Sequence, residues 1–276
     1  MSIPSVKLNS GLDMPVVGYG TYPLKGRRAT DAILAAIGSG YRLIDTAASY
    51  GNEDAVGAAV RESGLPRAEL FVTTKLRGSD QGRGSTRAGL ERSLERLGLE
   101  YVDLYLIHWP LPAVGRYVES YAEMAELRRE GLIRSLGVSN FLPEHLDAVV
   151  AETGIQPAVD QLQVSPSHSR AELVAAVQRT GTVVQAWSPL ERNTGVLDHP
   201  SVAAIAARLG ITGAQVVLRW LLQRNVTVVP HSGDPGRQHT NADLFGFELT
   251  TDDMTAINAL DTGVPVKQDP RTWEEF

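Results

Sequence analysis

Ala88–Pro110 reads AGLERSLERLGLEYVDLYLIHWP. Its first half puts Leu90, Leu94 and Leu97 on one stripe and leaves Glu91, Arg92, Glu95 and Arg96 to cover the rest, the pattern of a helix resting on a core. Its second half, VDLYLIHW from Val102, is a short apolar run that ends in a histidine and a tryptophan, and it predicts a strand. The same kind of run recurs seven more times: VVGYGT from Val16, YRLIDT from Tyr41, FVTTK from Phe71, IRSLGVSN from Ile133, AVDQLQV from Ala158, VVQAWS from Val183 and VTVVPHS from Val226. Helical spacing fills most of the gaps, so the chain repeats a strand-helix unit rather than a hairpin. Eight units in roughly 250 residues fit a closed parallel (β/α)8 barrel, a TIM barrel, of α/β class; a doubly wound open sheet is the competing arrangement.

Outside the repeat, SVKLNSGLDMPV from Ser5 alternates around Asn9-Ser10-Gly11 and predicts a small hairpin closing the barrel's bottom. The long gap before the eighth run holds two helical stretches, 201–209 and 213–223, so at least one C-terminal helix is extra to the repeat. Residues 78–85, GSDQGRGS, read as a flexible loop. No shift of composition divides residues 1–276, and one domain is the simplest account.

Composition bounds the function. The chain is 43% hydrophobic and 21% charged with a net charge of −6, so it offers no basic stripe to nucleic acid or to an anionic membrane. It has no cysteine, hence no disulfide, thiolate nucleophile or cysteine metal site. No apolar stretch approaches a membrane span and the first residues do not read as a signal peptide, which places the expectation in the cytoplasm. Of 26 basic residues only Lys7, Lys25, Lys75 and Lys267 are lysines, so a retained lysine invites a reason.

In such a barrel the C-terminal ends of the strands share one mouth. Read in turn they carry Gly20 and Thr21, Asp45, Lys75, His108 and Trp109, Ser139 and Asn140, Gln161, Trp187 and Ser188, and finally His231 and Ser232. Asp45, Tyr50, Lys75 and His108 are candidates for a proton-transfer unit. An ammonium beside a phenol stabilises the phenolate and lowers its pKa, a carboxylate keeps the ammonium charged in a partly dry site, and a histidine can orient a carbonyl oxygen. The plainer alternatives are a Lys75–Asp45 pair that only closes the barrel and a tyrosine that only caps a core.

The sequence resembles the aldo-keto reductases over essentially its whole length, and within them the short bacterial members acting on keto sugars and small carbonyls. The resemblance rests on DTAASYGNE at 45–53, TTK at 73–75, VDLYLIHWP at 102–110, IRSLGVSNF at 133–141 and PHSGDPGRQHTN at 230–241. It implies that Tyr50 is the general acid for hydride transfer from NADPH to an aldehyde or ketone, with Asp45, Lys75 and His108 completing a tetrad. It also implies that Ser139, Asn140 and Gln161 hold the nicotinamide carboxamide, that Trp187 stacks on its ring, and that Ser188 and Leu190 lie beside the pyrophosphate. Gly20 and Thr21 match the loop near the nicotinamide, whereas GYG at 18–20 is no Rossmann fingerprint. Monomers are the family's usual form.

Cofactor choice departs from the pattern. His231 stands where phosphate-binding members carry lysine, Ser232 and Arg237 are retained, Asp234 brings a negative charge close by, and Thr240 replaces a glutamate while Asn241 is kept. The expectation is NADPH, with NADH or dual use as the alternative. Asp160 stands where asparagine is usual; its position is expected near the nicotinamide side of the rim, with solvent or an arginine as its other destinations. Tyr22, Trp109 and Phe141 are expected to wall the substrate pocket. With short loops, an open site taking small carbonyls follows, over which Trp273 either folds or stays in solvent. His145, His168, His199 and His239 lack ligand spacing and are read as surface residues, with no metal expected. Two other classes compete: a Schiff-base enzyme using Lys75, for which the cofactor-matching motifs have no purpose, and a non-catalytic nicotinamide-binding regulatory subunit.

Overall fold

The structure is a computed structural model that describes residues 3–191, 194–264, 266 and 268–275. Strands β1 (Ser5–Lys7) and β2 (Asp13–Pro15) pair antiparallel as the expected hairpin. Eight parallel strands follow: β3 (Gly18–Gly20), β4 (Leu43–Asp45), β5 (Phe71–Leu76), β6 (Val102–Ile107), β7 (Ile133–Ser139), β8 (Val159–Gln163), β9 (Val183–Trp187) and β10 (Val226–Val228), each bonded to its neighbour in sequence. The ring closes where β3 meets β10, through a Val17–Val228 bridge flanked by the Val228 N–H to Val16 carbonyl and Gly20 N–H to Pro230 carbonyl hydrogen bonds. A Cβ on Gly20 would stand 2.9 Å from the Val229 carbonyl oxygen, so glycine permits this approach.

Helices α1 (Gly26–Gly38), α2 (Glu53–Glu62), α3 (Ser85–Leu97), α4 (Tyr117–Arg129), α5 (Pro143–Thr153) and α6 (Ala171–Arg179) connect successive strands. Between β9 and β10 lie two helices, α7 (Pro200–Leu209) and α8 (Gly213–Gln223), as the two stretches predicted. Thr212 and Gln215 cap α8 reciprocally, and the helix buries its own Trp220. Helices α9 (Pro235–Ala242) and α10 (Thr251–Asn258) follow β10. No single helix among the described residues is long and apolar enough to cross a membrane.

Side chains alternate along each strand between two cores. Leu43, Phe71, Leu104, Leu106, Val159 and Val229 point inward, where Leu8 and Met14 of the hairpin plug the bottom. Ile44, Val72, Tyr105, Ile107, Val138, Leu162, Val184 and Val228 point outward against the helices. This period of two aims the functional rim: continuing the inward parity reaches Asp45, Lys75, His108, Gln161 and Trp187. The same parity puts Asp160 with Leu162 on the outer face, away from the rim.

The 78–85 segment is anchored rather than loose. It forms a short 3-10 turn at Gly78–Asp80, and the N–H groups of Gly82 and Gly84 donate to Ser120 Oγ at 2.8 Å and to the Glu123 carboxylate at 2.8 and 2.9 Å.

Candidate active site

At the C-terminal end of the barrel a cleft of ≈ 500 Å³ opens among the strand ends. Beneath its lining residue Asp45 lies Lys75, fully buried, whose Nζ donates to Asp45 Oδ1 at 2.7 Å and to the Thr46 carbonyl at 2.9 Å. Gln161 Nε2 donates to the second Asp45 oxygen at 2.8 Å and to Gln185 Oε1 at 2.7 Å, so its own Oε1 is turned from the carboxylate. Gln185 lies at an inward position between Val183 and Trp187, where a polar residue in an apolar strand is a sequence signal of the site.

Tyr50 sits in a 3-10 turn, Ala48–Tyr50, between β4 and α2. The turn is held by Asn52, which accepts from Thr46 Oγ1 at 2.7 Å and donates to the Leu24 carbonyl at 2.9 Å, and by Glu53, which accepts from Thr74 at 2.6 Å and from Arg96. Lys75 Nζ stands 5.1 Å from the Tyr50 ring centre, and the His108 ring lies edge-on at 5.8 Å. Burial raises the Tyr50 phenol above its ordinary value; the Lys75 charge and hydrogen bond pull it down without overcoming that effect, so the net shift is upward and not the lowering expected. Burial would lower Lys75, but Asp45 and Tyr50 outweigh it and its pKa is raised, which keeps the ammonium charged.

The cleft's far side is made by β7 to β10. Ser139 Oγ donates to the Gln161 carbonyl at 2.8 Å. Asn140, in a left-handed conformation with φ 61°, donates to the His108 carbonyl at 3.1 Å and to Ser139 Oγ at 3.0 Å, while its Oδ1 accepts the Trp187 indole N–H at 2.9 Å. Trp187 is thereby fixed as a flat wall, and Ser188, Leu190, Gly20, Thr21 and His231 also line the cleft. Thr21 Oγ1 is buried with no hydrogen-bond partner. His231 Nδ1 lies 2.9 Å from the Gly20 carbonyl oxygen. Past the cleft, at the start of α9, Arg237 Nε donates to Ser232 Oγ at 3.3 Å, Asp234 caps the helix through the Arg237 N–H at 2.8 Å, and Asn241 is buried. An aromatic wall, amide and hydroxyl groups at one end and an arginine-serine pair at the other suit a long, flat, phosphorylated cofactor such as a nicotinamide dinucleotide. Among the described residues no three His, Asp or Glu side chains gather as metal ligands.

Several expectations need correction. Phe141 is fully buried between Tyr117 and His145, ring centres 5.5 and 5.7 Å away, and does not wall the cleft. His145 is buried there too and caps α5 by accepting the Leu142 N–H at Nδ1, 3.2 Å, so it is no surface residue. Asp160 reaches neither the rim nor solvent: it is fully buried, Oδ1 accepting the Phe141 N–H at 3.4 Å and Oδ2 having no partner, and burial pushes its carboxyl well above the usual range. Tyr22 and Trp109 do line the mouth, Tyr22 packing on Tyr50 with ring centres 5.1 Å apart. Trp273 folds over it, 5.8 Å from Trp109, and Glu275 enters with it, so the site is narrower than the open one expected. Nothing in the tail's sequence signalled Glu275, whose place is set by contacts with distant loops.

A parallel (β/α)8 barrel whose mouth joins a buried lysine-carboxylate pair and a tyrosine to a long cofactor-shaped groove defines a barrel oxidoreductase. The aldo/keto reductase family model matches residues 16–262, and the chain belongs to that family. It is 48% identical over 272 residues to an aldo-keto reductase of Mycolicibacterium vanbaalenii, covering 99% of this chain and 97% of the relative. It is 44% identical over 275 residues to 2,5-diketo-D-gluconic acid reductase B of a Corynebacterium species, covering 100% and 99%. Among solved structures it is similar to the Bombyx mori aldo-keto reductase in complex with NADP, with a TM-score of 0.91 at 33% identity over 100% of this chain and 99% of that one.

Proposed function

We propose that the protein reduces small aldehydes and ketones, among them α-dicarbonyls, α-keto esters and keto sugars, to alcohols with NADPH. The observation that carries this is the Tyr50 phenol set over the Lys75–Asp45 pair and beside His108 at the mouth of the groove. NADPH, when bound, supplies the hydride that reaches the carbonyl carbon. The silkworm relative's complex with NADP and the fit of the groove's residues support that cofactor.

The remaining chemistry belongs to the chain. Tyr50 Oη donates its proton to the carbonyl oxygen as negative charge develops there, so one proton and one hydride turn C=O into CH–OH. Lys75 stabilises the phenolate left behind, and Asp45 holds Lys75 protonated. His108 orients the carbonyl oxygen from the other side. A phenol whose pKa is raised before reaction keeps its proton in the resting enzyme, and the Lys75 charge favours the phenolate most when the proton has left. Gln161, with both amide hydrogens committed to Asp45 and Gln185, presents Oε1 as acceptor for the carboxamide N–H, and Trp187 offers its face to the ring.

The test is NADPH consumption with a reactive aldehyde by the wild type and Tyr50→Phe. Loss of the proton donor should lower kcat by about 100-fold or more, while cofactor affinity, read by quenching of Trp187 fluorescence, stays within about twofold. A Tyr50→Phe enzyme turning over at the wild-type rate removes Tyr50 from the role of acid.

A further inference from the structure

The last described residues turn back into the cleft. Trp273 leans on Trp109, and Glu275 reaches past them with 14% of its side chain exposed. One carboxylate oxygen of Glu275 pairs with Nδ1 of His108, and the other accepts the Gly78 N–H at 3.0 Å. A Cβ on Gly78 would stand 2.6 Å from Leu111 Cδ1 and 2.9 Å from the Glu275 carbonyl oxygen, so the absent side chain is what lets the tail lie this close. A carboxylate is thus docked on the histidine that flanks Tyr50, at the edge of the space a substrate must fill.

The rest of the cleft does not balance that charge. Its described lining includes Asp45 and Glu191 as well as Glu275, and neither lysine nor arginine. Lys75 lies beneath, already matched by Asp45. Glu191 is fixed by the Ser167 N–H at 2.9 Å and the Ser167 hydroxyl at 3.0 Å. Burial would raise its carboxyl, but these hydrogen bonds hold it below the usual value, so it too is an anion at neutral pH. A substrate carrying its own carboxylate would lose water on entering and find neither lysine nor arginine among the described lining residues to replace it. An uncharged carbonyl compound meets Tyr22, Trp109 and Trp273 without that cost.

We infer that Glu275 determines specificity: its carboxylate selects uncharged carbonyl substrates and disfavours those bearing a carboxylate near the reacting carbon. This rests on the carbonyl-reductase function proposed above. Two like charges roughly 6 Å apart in a partly hydrated site oppose each other enough to change kcat/KM by about tenfold.

A matched pair of aldehydes isolates the charge: methyl 4-formylbenzoate and 4-formylbenzoate share a ring and a reacting group and differ by one negative charge. With NADPH at pH 7 the wild type should prefer the ester by about tenfold or more in kcat/KM, mainly through KM. Glu275→Gln keeps the acceptor and the shape but removes the charge, and should shrink that ratio by about tenfold. A merely structural tail would move both substrates together, so a ratio unchanged in Glu275→Gln, or a wild-type ratio near one, overturns the proposal. If the wild type reduces neither aldehyde, the reductase function fails separately. Charge selection is then read from quenching of Trp109 and Trp273 fluorescence by the two compounds, with the same two ratios deciding it.

Discussion

Asp45→Asn takes the counter-charge from a fully buried ammonium while preserving the shape of the site. Lys75 Nζ is 2.7 Å from Asp45 Oδ1 and its side chain is fully buried, so the variant leaves a charge in the barrel's interior without its counter-charge. Breaking a buried pair in this way costs about 3–5 kcal/mol, and for a chain of this size that is a fall in Tm on the order of 10 °C. The pH dependence gives a sharper signature than the size. In the wild type the Lys75 pKa is raised, so the native state holds its proton more tightly than the unfolded chain does. The pair's stabilisation is therefore fully present below the ordinary lysine value of about 10.4, and is lost as pH climbs through the native value above it. In Asp45→Asn the effect of burial on Lys75 loses its main opponent and the pKa moves down. The native state then releases the proton before the unfolded chain, and the variant gains up to about 1.4 kcal/mol per pH unit on the way to about pH 10. Urea denaturation followed by tryptophan fluorescence at pH 7 and pH 9.5 should show a wide gap between the two proteins at the lower pH and a narrower one at the higher. A gap below about 1 kcal/mol at pH 7, or one that widens with pH, refutes the buried-pair account.

Two further substitutions probe the outer face and the groove. Asp160 has a raised pKa and one unpartnered oxygen, so its stabilising proton is present below about pH 4 and lost as pH rises through the native value; Asp160→Asn should be the more stable protein at pH 8, by about 1–3 kcal/mol, with the advantage fading toward pH 5 in thermal melts. A variant no more stable than wild type at pH 8 shows that the carboxylate is partnered there. His231→Lys supplies a full positive charge beside Ser232 and Arg237 and should shift binding toward NADPH over NADH by about fivefold, read as two dissociation constants from Trp187 quenching; an unchanged ratio means the phosphate lies elsewhere.

Period-two alternation made most of the site legible from sequence. Once eight strands are laid side by side, the inward positions beyond Leu43, Phe71 and Leu106 must be Asp45, Lys75 and His108, whatever the barrel holds. The same rule, applied one residue further, sends Asp160 outward, and taking it for a rim residue ignored its parity with Leu162. Phe141 was misplaced for the opposite reason. Asn140 turns the backbone into the left-handed region just after β7, alternation ends there, and Phe141 swings away toward Tyr117 and His145. The sign of the Tyr50 shift was out of reach because it is a contest between burial and a neighbouring charge, and only a structure gives the burial. The tail has no periodicity to read, and Glu275 is positioned by Gly78 and His108, almost 200 and more than 160 residues earlier.

The closure of the barrel at Val17 and Val228 has a consequence for how the protein is made. Its first barrel strand emerges from the ribosome with one edge paired to β4 and the other waiting for a partner more than 200 residues downstream. Until β10 arrives, the row of backbone groups on β3 is an open edge in an otherwise growing sheet, and open edges are where nascent chains mispair. Three-residue strands at both sides of the seam keep that edge short, and the bare Gly18 and Gly20 offer little side chain to a passing neighbour. The ring is thus closed when β10 reaches the short, glycine-bearing edge of β3, the last edge to be paired.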